Sequence, residues 1–404
     1  MEIQSLGHDP NRSQMLAQLL DFCRAEAPWV RETVEALVRL ESPSDDKPAV
    51  DRCGIELERR LAAVGAVVER LSQTDRGDHL RGRWQSRTSR DRSNPGAGQH
   101  TSQILLLGHL DTVWPVGSLV AMPIRESDGR LYGPGIFDMK SGIAASLLAL
   151  RALDAIEATP AARVAMLWTT DEEVGSATSR ALIEEEARRS RAVLVLEPSL
   201  PGGGAKTSRK GVGEFTIVAH GVAAHAGLDP GKGASAIHEL ARQILALESL
   251  QDRDRGITLN AGTIAGGSRA NVVAAEATAS IDVRVQTMAD AARVEASILA
   301  LRPAHPSVRL DIRGGINRPP LERSGDVVRL YKQAAAVAAA LGQPLPEGSA
   351  GGGSDGNFTA ALGVPTLDGL GPQGDGAHAR HEHVVIEDLT WRGAFLAGLI
   401  ASLA

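Results

Sequence analysis

Disulfide chemistry has almost nothing to work with in this chain. Cys23 and Cys53 are its only two cysteines, and both fall inside helix-like stretches, so no disulfide framework is implied. Aromatic residues make up 3% of the sequence, which leaves Leu, Val, Ile and Ala to fill the core. No apolar run reaches the length of a membrane span, and residues 1–10 are polar rather than a charged start followed by an apolar stretch. The expectation is therefore a cytoplasmic protein with no membrane partner. An excess of positive charge is missing too: the formal net charge is −6, which gives no electrostatic case for a nucleic-acid partner. At 404 residues the chain exceeds one ordinary core and has room for two domains.

What is present begins with the run Ile104-Leu105-Leu106-Leu107-Gly108-His109-Leu110-Asp111. Four apolar residues between Gln103 and Gly108 read as a strand buried on both faces of a parallel sheet. His109 falls where that strand ends, and in open α/β sheets ligands sit at the carboxyl ends of strands. A carboxylate two residues later, Asp111, suits a metal-ligating imidazole whose second nitrogen is held by an acid. Before this run, residues 14–40 carry helical periodicity with Pro28 in a first turn. A helix is expected over Pro48–Leu61 and a strand over Val67–Leu71, and the polar stretch 85–102 reads as solvated loop.

The ending at His109 recurs. Arg163–Thr170 is a second buried-strand candidate and runs into Asp171-Glu172-Glu173, where the plain reading is acids favouring a helix dipole. Ala192–Leu196 is a third and ends in Glu197-Pro198. Between the first two lies Tyr132-Gly133-Pro134-Gly135-Ile136-Phe137-Asp138, glycines and a proline that force a tight backbone path before the helix Ile143–Leu153. An N-cap is the plain reading of Asp138. Each feature alone has a structural explanation, but three strand ends bearing metal-type ligands in one sheet do not read as coincidence.

After Glu197, Gly202-Gly203-Gly204-Ala205-Lys206-Thr207 imitates a phosphate loop. A P-loop needs Gly before the Lys and a helix after it, so the stretch reads as a linker. Strands and helices then follow as strand 213–219, helix 234–250, strands 257–264 and 272–285, helix 288–301 and strand 307–313. This β-α-β-β-α-β order is the ferredoxin-like arrangement, inserted into the first domain. The chain returns through a helix at Val327–Leu341, the run 351–357 and a segment holding His378, His381 and His383, and closes on a helix at Ile386–Leu403. Gly352-Gly353-Ser354-Asp355-Gly356 satisfies G-x-S-x-G, but Pro344–Ala350 is not the buried strand a nucleophile elbow requires.

Together these pieces resemble the di-zinc aminoacylase/carboxypeptidase family of metallopeptidases, whose members include glutamate carboxypeptidase, aminoacylases, acetylornithine deacetylase and succinyl-diaminopimelate desuccinylase. The stretches that carry the resemblance are GHLDTV (108–113), YGPGIFDMKSG (132–142), TDEEVGS (170–176), LEP (196–198), AAHAG (223–227), RANVV (269–273), DVRV (282–285), GGGSDGNF (351–358) and GDGAHARHE (374–382). The resemblance implies an α/β fold: a zinc-exopeptidase-like catalytic domain with a largely parallel sheet over 1–209 and 320–404. An inserted ferredoxin-like α+β lid and dimerisation domain would span 210–319.

The resemblance also assigns roles. Asp138 would bridge two metals, with His109 and Glu197 completing one site and Glu173 and His378 the other. His378 is chosen over His381 because the family's ligand lies four residues before a Glu, here Glu382. Asp111 would orient His109, Glu172 would be the general base, and the Asp138-Met139 peptide would be cis. His225 would reach a partner subunit's site in a homodimer, and Asn271 would lie near it; Arg284, in a strand, is a substrate-binding candidate that equally suits the dimer surface or lid packing. Arg318, with Arg313 as competitor, would hold a substrate carboxylate. The cofactor expected is two divalent metals, zinc first and cobalt or manganese as substitutes. The substrate would be a peptide or N-acyl amino acid. The expected activity is amide hydrolysis that releases a C-terminal or N-acylated amino acid, and an N-acyl-amino-acid deacylase with the same metal centre is the alternative. A non-catalytic binding protein and a serine amidase stand further off.

Overall fold

The computed structural model describes residues 10–86, 103–160 and 162–403, so the polar stretch 85–102 lies, from residue 87 onward, outside the described residues. The chain divides into two compact units, one of residues 1–207, 323–349 and 354–404 and the other of residues 208–322 and 350–353. No helix among the described residues is long and apolar enough to cross a membrane.

The first unit is built on a six-stranded sheet in the order Val67–Leu71, His79–Trp84, Arg163–Thr169, Gln103–His109, Ser190–Val195, Thr366–Leu367. The last four run parallel and the first two are antiparallel additions at one edge. Every residue of Gln103–His109 is buried, and the alternation of a strand shows why an unbroken apolar run is needed. Ile104 and Leu106 join the core formed with the helices Pro10–Ala25, Ala27–Arg39, Ser141–Ala155 and Ile386–Ser402. Leu105 and Leu107 join a separate cluster with Ile183, Ala187 and Phe358 on the other face.

Local departures from the sequence reading are few. The periodic stretch 14–40 is two helices, Pro10–Ala25 and Ala27–Arg39, the second with proline in its first turn. Residues 205–207 of the stretch read as a linker belong to a strand, Ala205–Arg209, in which every residue is buried. Glu347–Ala350 is also a strand, but a partly exposed one.

The second unit is a four-stranded antiparallel sheet ordered Thr258–Gly266, Glu276–Val285, Gly211–His220, Arg309–Arg318. Helices Ala236–Glu248 and Met288–Leu299 complete a β-α-β-β-α-β order. Period-two burial places Phe215, Ile217 and Ala219 with Ala277, Ala279, Ile281 and Val283 in one core. The strand Thr258–Gly266 is the exposed edge, with Ile264 open to solvent.

Candidate metal centre

The site sits where the sheet topology reverses. Chain order runs from Gln103–His109 to Arg163–Thr169 on one side of it, then to Ser190–Val195 on the other. A strand whose two parallel neighbours connect in opposite directions leaves a crevice beyond its carboxyl end. His109 closes the central strand, Asp171-Glu172-Glu173 follow one neighbour, and Leu196-Glu197 follow the other. The Glu172–Val174 segment is a single tight turn and the next helix starts at Arg180, so the three acids do not serve a helix dipole.

Asp138 enters from a tight turn. It has extended backbone angles (φ −113°, ψ 92°), and the helix Ser141–Ala155 begins three residues later without a side-chain cap, which rules out the N-cap reading. The Asp138-Met139 peptide is cis. Gly135 has φ +70°, and a Cβ there would lie 2.5 Å from Thr112 Cγ2, so only glycine fits the turn.

These segments bring two sets of ligand atoms around one carboxylate. His109 Nε2 is 3.3 Å from Asp138 Oδ1 and 3.4 Å from Glu197 Oε1. His378 Nε2 is 3.5 Å from Asp138 Oδ2 and 3.1 Å from Glu173 Oε2. A ligand atom of Glu172 lies within 4.8 Å of those of His109 and Glu197. His381 instead faces Asp375, at 3.9 Å. His378 takes a left-handed backbone, φ +61°, uncommon for a residue with a side chain and frequent at functional sites.

Three polar atoms at the centre are buried without a hydrogen-bond partner among the described residues: His109 Nε2, Asp138 Oδ1 and Glu173 Oε1. Buried polar atoms left without a partner are costly, and cations bound at the two ligand sets would satisfy all three. The charges point the same way. Burial alone would drive the His109 ring toward neutrality, but Asp111, Asp138 and Glu197 push its pKa well above the usual imidazole value. Asp138 and Glu173 raise His378 to about 10. Burial raises Glu173, while the two imidazoles overcome burial and lower Asp138. Two imidazoles and three carboxylates suit a borderline-to-hard divalent ion, whose binding must displace the ring protons.

Around these atoms, carboxylates fix the segments. Asp111 accepts the Ser44 hydroxyl at 2.7 Å and the backbone N–H groups of Glu172 and Glu173 at 3.3 and 3.1 Å, while His109 Nδ1 lies 2.9 Å from the Asp111 carbonyl. Two residues outside the sequence-derived site act similarly. Asp355 accepts hydroxyls from Thr169 and Ser176, on either side of the acidic turn. The buried Glu382 carboxylate accepts four N–H groups, and burial still raises it to about 7. In sequence Glu382 served only as a spacing mark. Ser354 is buried and donates its hydroxyl to Asp368 Oδ2 rather than to a histidine, which does not suit a serine nucleophile.

The remaining candidates lie in the second unit. His225 is exposed, and its Nδ1 accepts the N–H groups of Gly227 and Leu228, each at 3.1 Å. A neutral ring that accepts at Nδ1 carries its hydrogen on Nε2 and is a donor there. Asn271 is beside it, its carbonyl accepting the Ala226 N–H at 3.0 Å. Arg284 is paired with Asp282 on its own strand at 2.8 Å. Arg318 is buried and packs against Gly353, whereas Arg313 is exposed.

Comparison with known proteins gives a consistent picture. The family model described as Peptidase family M20/M25/M40 matches residues 105–402. Carboxypeptidase G2 of Pseudomonas sp. (strain RS-16) is 30% identical over 386 residues, 94% of this chain and 90% of its own length. A succinyl-diaminopimelate desuccinylase of Verminephrobacter eiseniae is 29% identical over 356 residues, 82% of this chain and 87% of its own. Among solved structures, aminopeptidase PepT from Bacillus cereus aligns with a TM-score of 0.75 at 21% identity, covering 93% of this chain and 98% of that one.

Proposed function

We propose, for a chain that belongs to peptidase family M20/M25/M40 and is a hydrolase of its metallopeptidase/amidohydrolase type, that it hydrolyses an amide to release a C-terminal or N-acylated amino acid. The observation that carries this reading is the pair of ligand sets sharing Asp138, with Glu172 beside one of them. In this reading His109, Asp138 and Glu197 hold one divalent ion and Asp138, Glu173 and His378 the other, with zinc the ion that best suits them. When bound, the pair supplies a water of lowered pKa and a Lewis acid for the scissile carbonyl. Glu172 takes the attacking water's proton and returns it to the leaving nitrogen. Asp111 keeps the His109 ring in place through its second nitrogen.

His225 contributes a hydrogen bond to the developing oxyanion of a partner subunit's site, a role its Nε2–H donor state supports. Asn271 lies near the same substrate end, with Arg284 on the adjoining sheet. A homodimer is further supported by the exposed edge strand Thr258–Gly266, which a second copy would cover. Arg318, buried and charged, is the better candidate for the substrate carboxylate than the exposed Arg313. Cys23 and Cys53 are buried and unpaired, as suits a reducing compartment such as the cytoplasm.

The second reading, a deacylase acting on N-acyl amino acids, is favoured by similarity to the desuccinylase and uses the same residues. A panel of C-terminal dipeptides and N-acyl amino acids, scored by the amino acid released, separates the two. Zinc-loaded, dialysed protein should hold close to two equivalents. Asp138→Ala should lower that by more than one, because the shared ligand is gone. A wild-type stoichiometry at or below one overturns the two-metal reading.

A further inference from the structure

Glu382 lies four residues after His378, and its carboxylate is almost fully buried. Each of its oxygens accepts two N–H donors. Oε2 takes the Trp114 indole at 2.7 Å and the Gly135 backbone at 2.8 Å. Oε1 takes Phe137 at 2.9 Å and Asp138 at 3.0 Å. The residue's own carbonyl accepts the Gly133 N–H at 3.3 Å, and its N–H donates to Ala379 at 2.9 Å. One side chain thereby ties together three segments: the loop after His109 through Trp114, the whole Gly135–Asp138 turn, and the segment that carries His378.

A loop needs no such clamp merely to close. The turn already has backbone bonds of its own, from Ile136 to Gly133 and from Lys140 to Gly135. The donors on Glu382 converge on the stretch ending in Asp138, whose two oxygens face different histidines. Both oxygens can serve both ligand sets only if the Asp138 backbone is held at a fixed height and rotation. We propose that Glu382 is a positioning residue for the shared carboxylate of Asp138, so that both metals depend on it together although it touches neither. The inference rests on the two-metal reading above.

The chemistry of substitution is specific. In Glu382→Gln one oxygen still accepts two N–H groups, while the new amide turns its own N–H toward two other donors. The turn must shift away from that clash without losing side-chain volume. Outer groups that hold a metal ligand are typically worth ~10–100-fold in metal affinity.

The test is titration of metal-stripped protein with cobalt(II), following bound metal by equilibrium dialysis and ligand geometry by the visible absorption of the ion. Wild type should bind two cobalt ions. Glu382→Gln should bind both ~10–100-fold more weakly, with an altered spectrum and a circular dichroism spectrum like wild type's. Glu239→Gln is the comparison: it weakens a similarly buried carboxylate clamp in the other unit and should lower the melting temperature while leaving cobalt affinity unchanged. If Glu382→Gln does not fold, Trp114→Phe removes a single donor and should weaken both ions by a smaller factor. Wild-type affinity and spectrum in the folded Glu382→Gln, or in Trp114→Phe if that variant must stand in, overturn the proposal, as does loss at one metal only. Fewer than two cobalt ions on wild type would instead overturn the metal reading, and this inference with it.

Discussion

Glu172 is the side chain whose chemistry is cheapest to isolate. Its carboxylate reaches the His109 and Glu197 side of the cluster, yet the two histidines are arranged around Asp138, Glu173 and Glu197 without it. Glu172→Gln should therefore keep two metals while losing ~10²–10⁴-fold in turnover, the usual worth of a positioned general base. Steady-state rates on the substrate found by the panel, with metal content measured on the same sample, decide it. Activity within a few-fold of wild type moves the base to another residue. At this scale His109, the Glu172-Glu173 pair and Glu197 are legible in the sequence because each follows an apolar run that reads as a buried strand, while the choice of Glu173 over Glu172 as ligand comes from the resemblance alone. Glu382 is not, because its donors come from residues 244 to 268 positions away. Asp355 is hidden for the same reason, its hydroxyl partners being 179 and 186 positions away. No local pattern marks a carboxylate whose partners are assembled only by the fold.

At the scale of elements, Gly135 shows what the turn before Asp138 demands. Alanine there meets a left-handed backbone, costing ~1–2 kcal/mol, and the crowding against Thr112 should add ~1–3 kcal/mol. Gly129 is the control, since its φ is +71° but a Cβ would meet nothing within 4 Å. Urea denaturation should show Gly135→Ala less stable than Gly129→Ala, and equal losses would mean that the close approach is not required. In the second unit, Glu239 on the helix Ala236–Glu248 accepts the N–H groups of Ala304 and His305 and the Gln243 amide at 2.7, 3.1 and 2.7 Å. Burial opposes its ionisation, but those bonds outweigh burial and hold the carboxyl below its usual range. A lowered folded pKa means that this stability is complete above the unfolded value near ~4.3 and is lost as pH falls through the folded one. Glu239→Ala should cost ~1–3 kcal/mol near neutrality by leaving buried donors unpaired. The difference from wild type should shrink in urea melts below about pH 4, and a difference independent of pH would assign the loss to packing. Elements of strong single period were legible, whereas 205–209 was missed because Ala-Lys-Thr-Ser-Arg carries no apolar alternation yet every residue is buried.

Across the whole molecule, every residue assigned to the metal cluster comes from the first unit, while the proposed oxyanion donor His225 comes from the second. The sequence exposes the insertion through a change of element order, from apolar strands that end in ligand-type residues to the run β-α-β-β-α-β after Glu197. It does not encode which chain's metal centre an exposed histidine serves, since that depends on how surfaces of separate copies meet. If His225 serves a partner's site, each active centre in a homodimer needs Glu172 from one chain and His225 from the other. Loss of one oxyanion donor costs ~10²–10³-fold, so His225→Ala and Glu172→Gln should each be nearly inactive alone. A mixed dimer of the two variants holds one centre with both defects and one with neither. With random exchange of equal amounts, about half the dimers are mixed and half the centres of each are whole, so activity should return to roughly a quarter of wild type. Rates should be followed after exchange verified by mass, with each variant incubated alone as reference. If activity stays at the level of the separate variants despite verified exchange, His225 serves its own chain's centre or none.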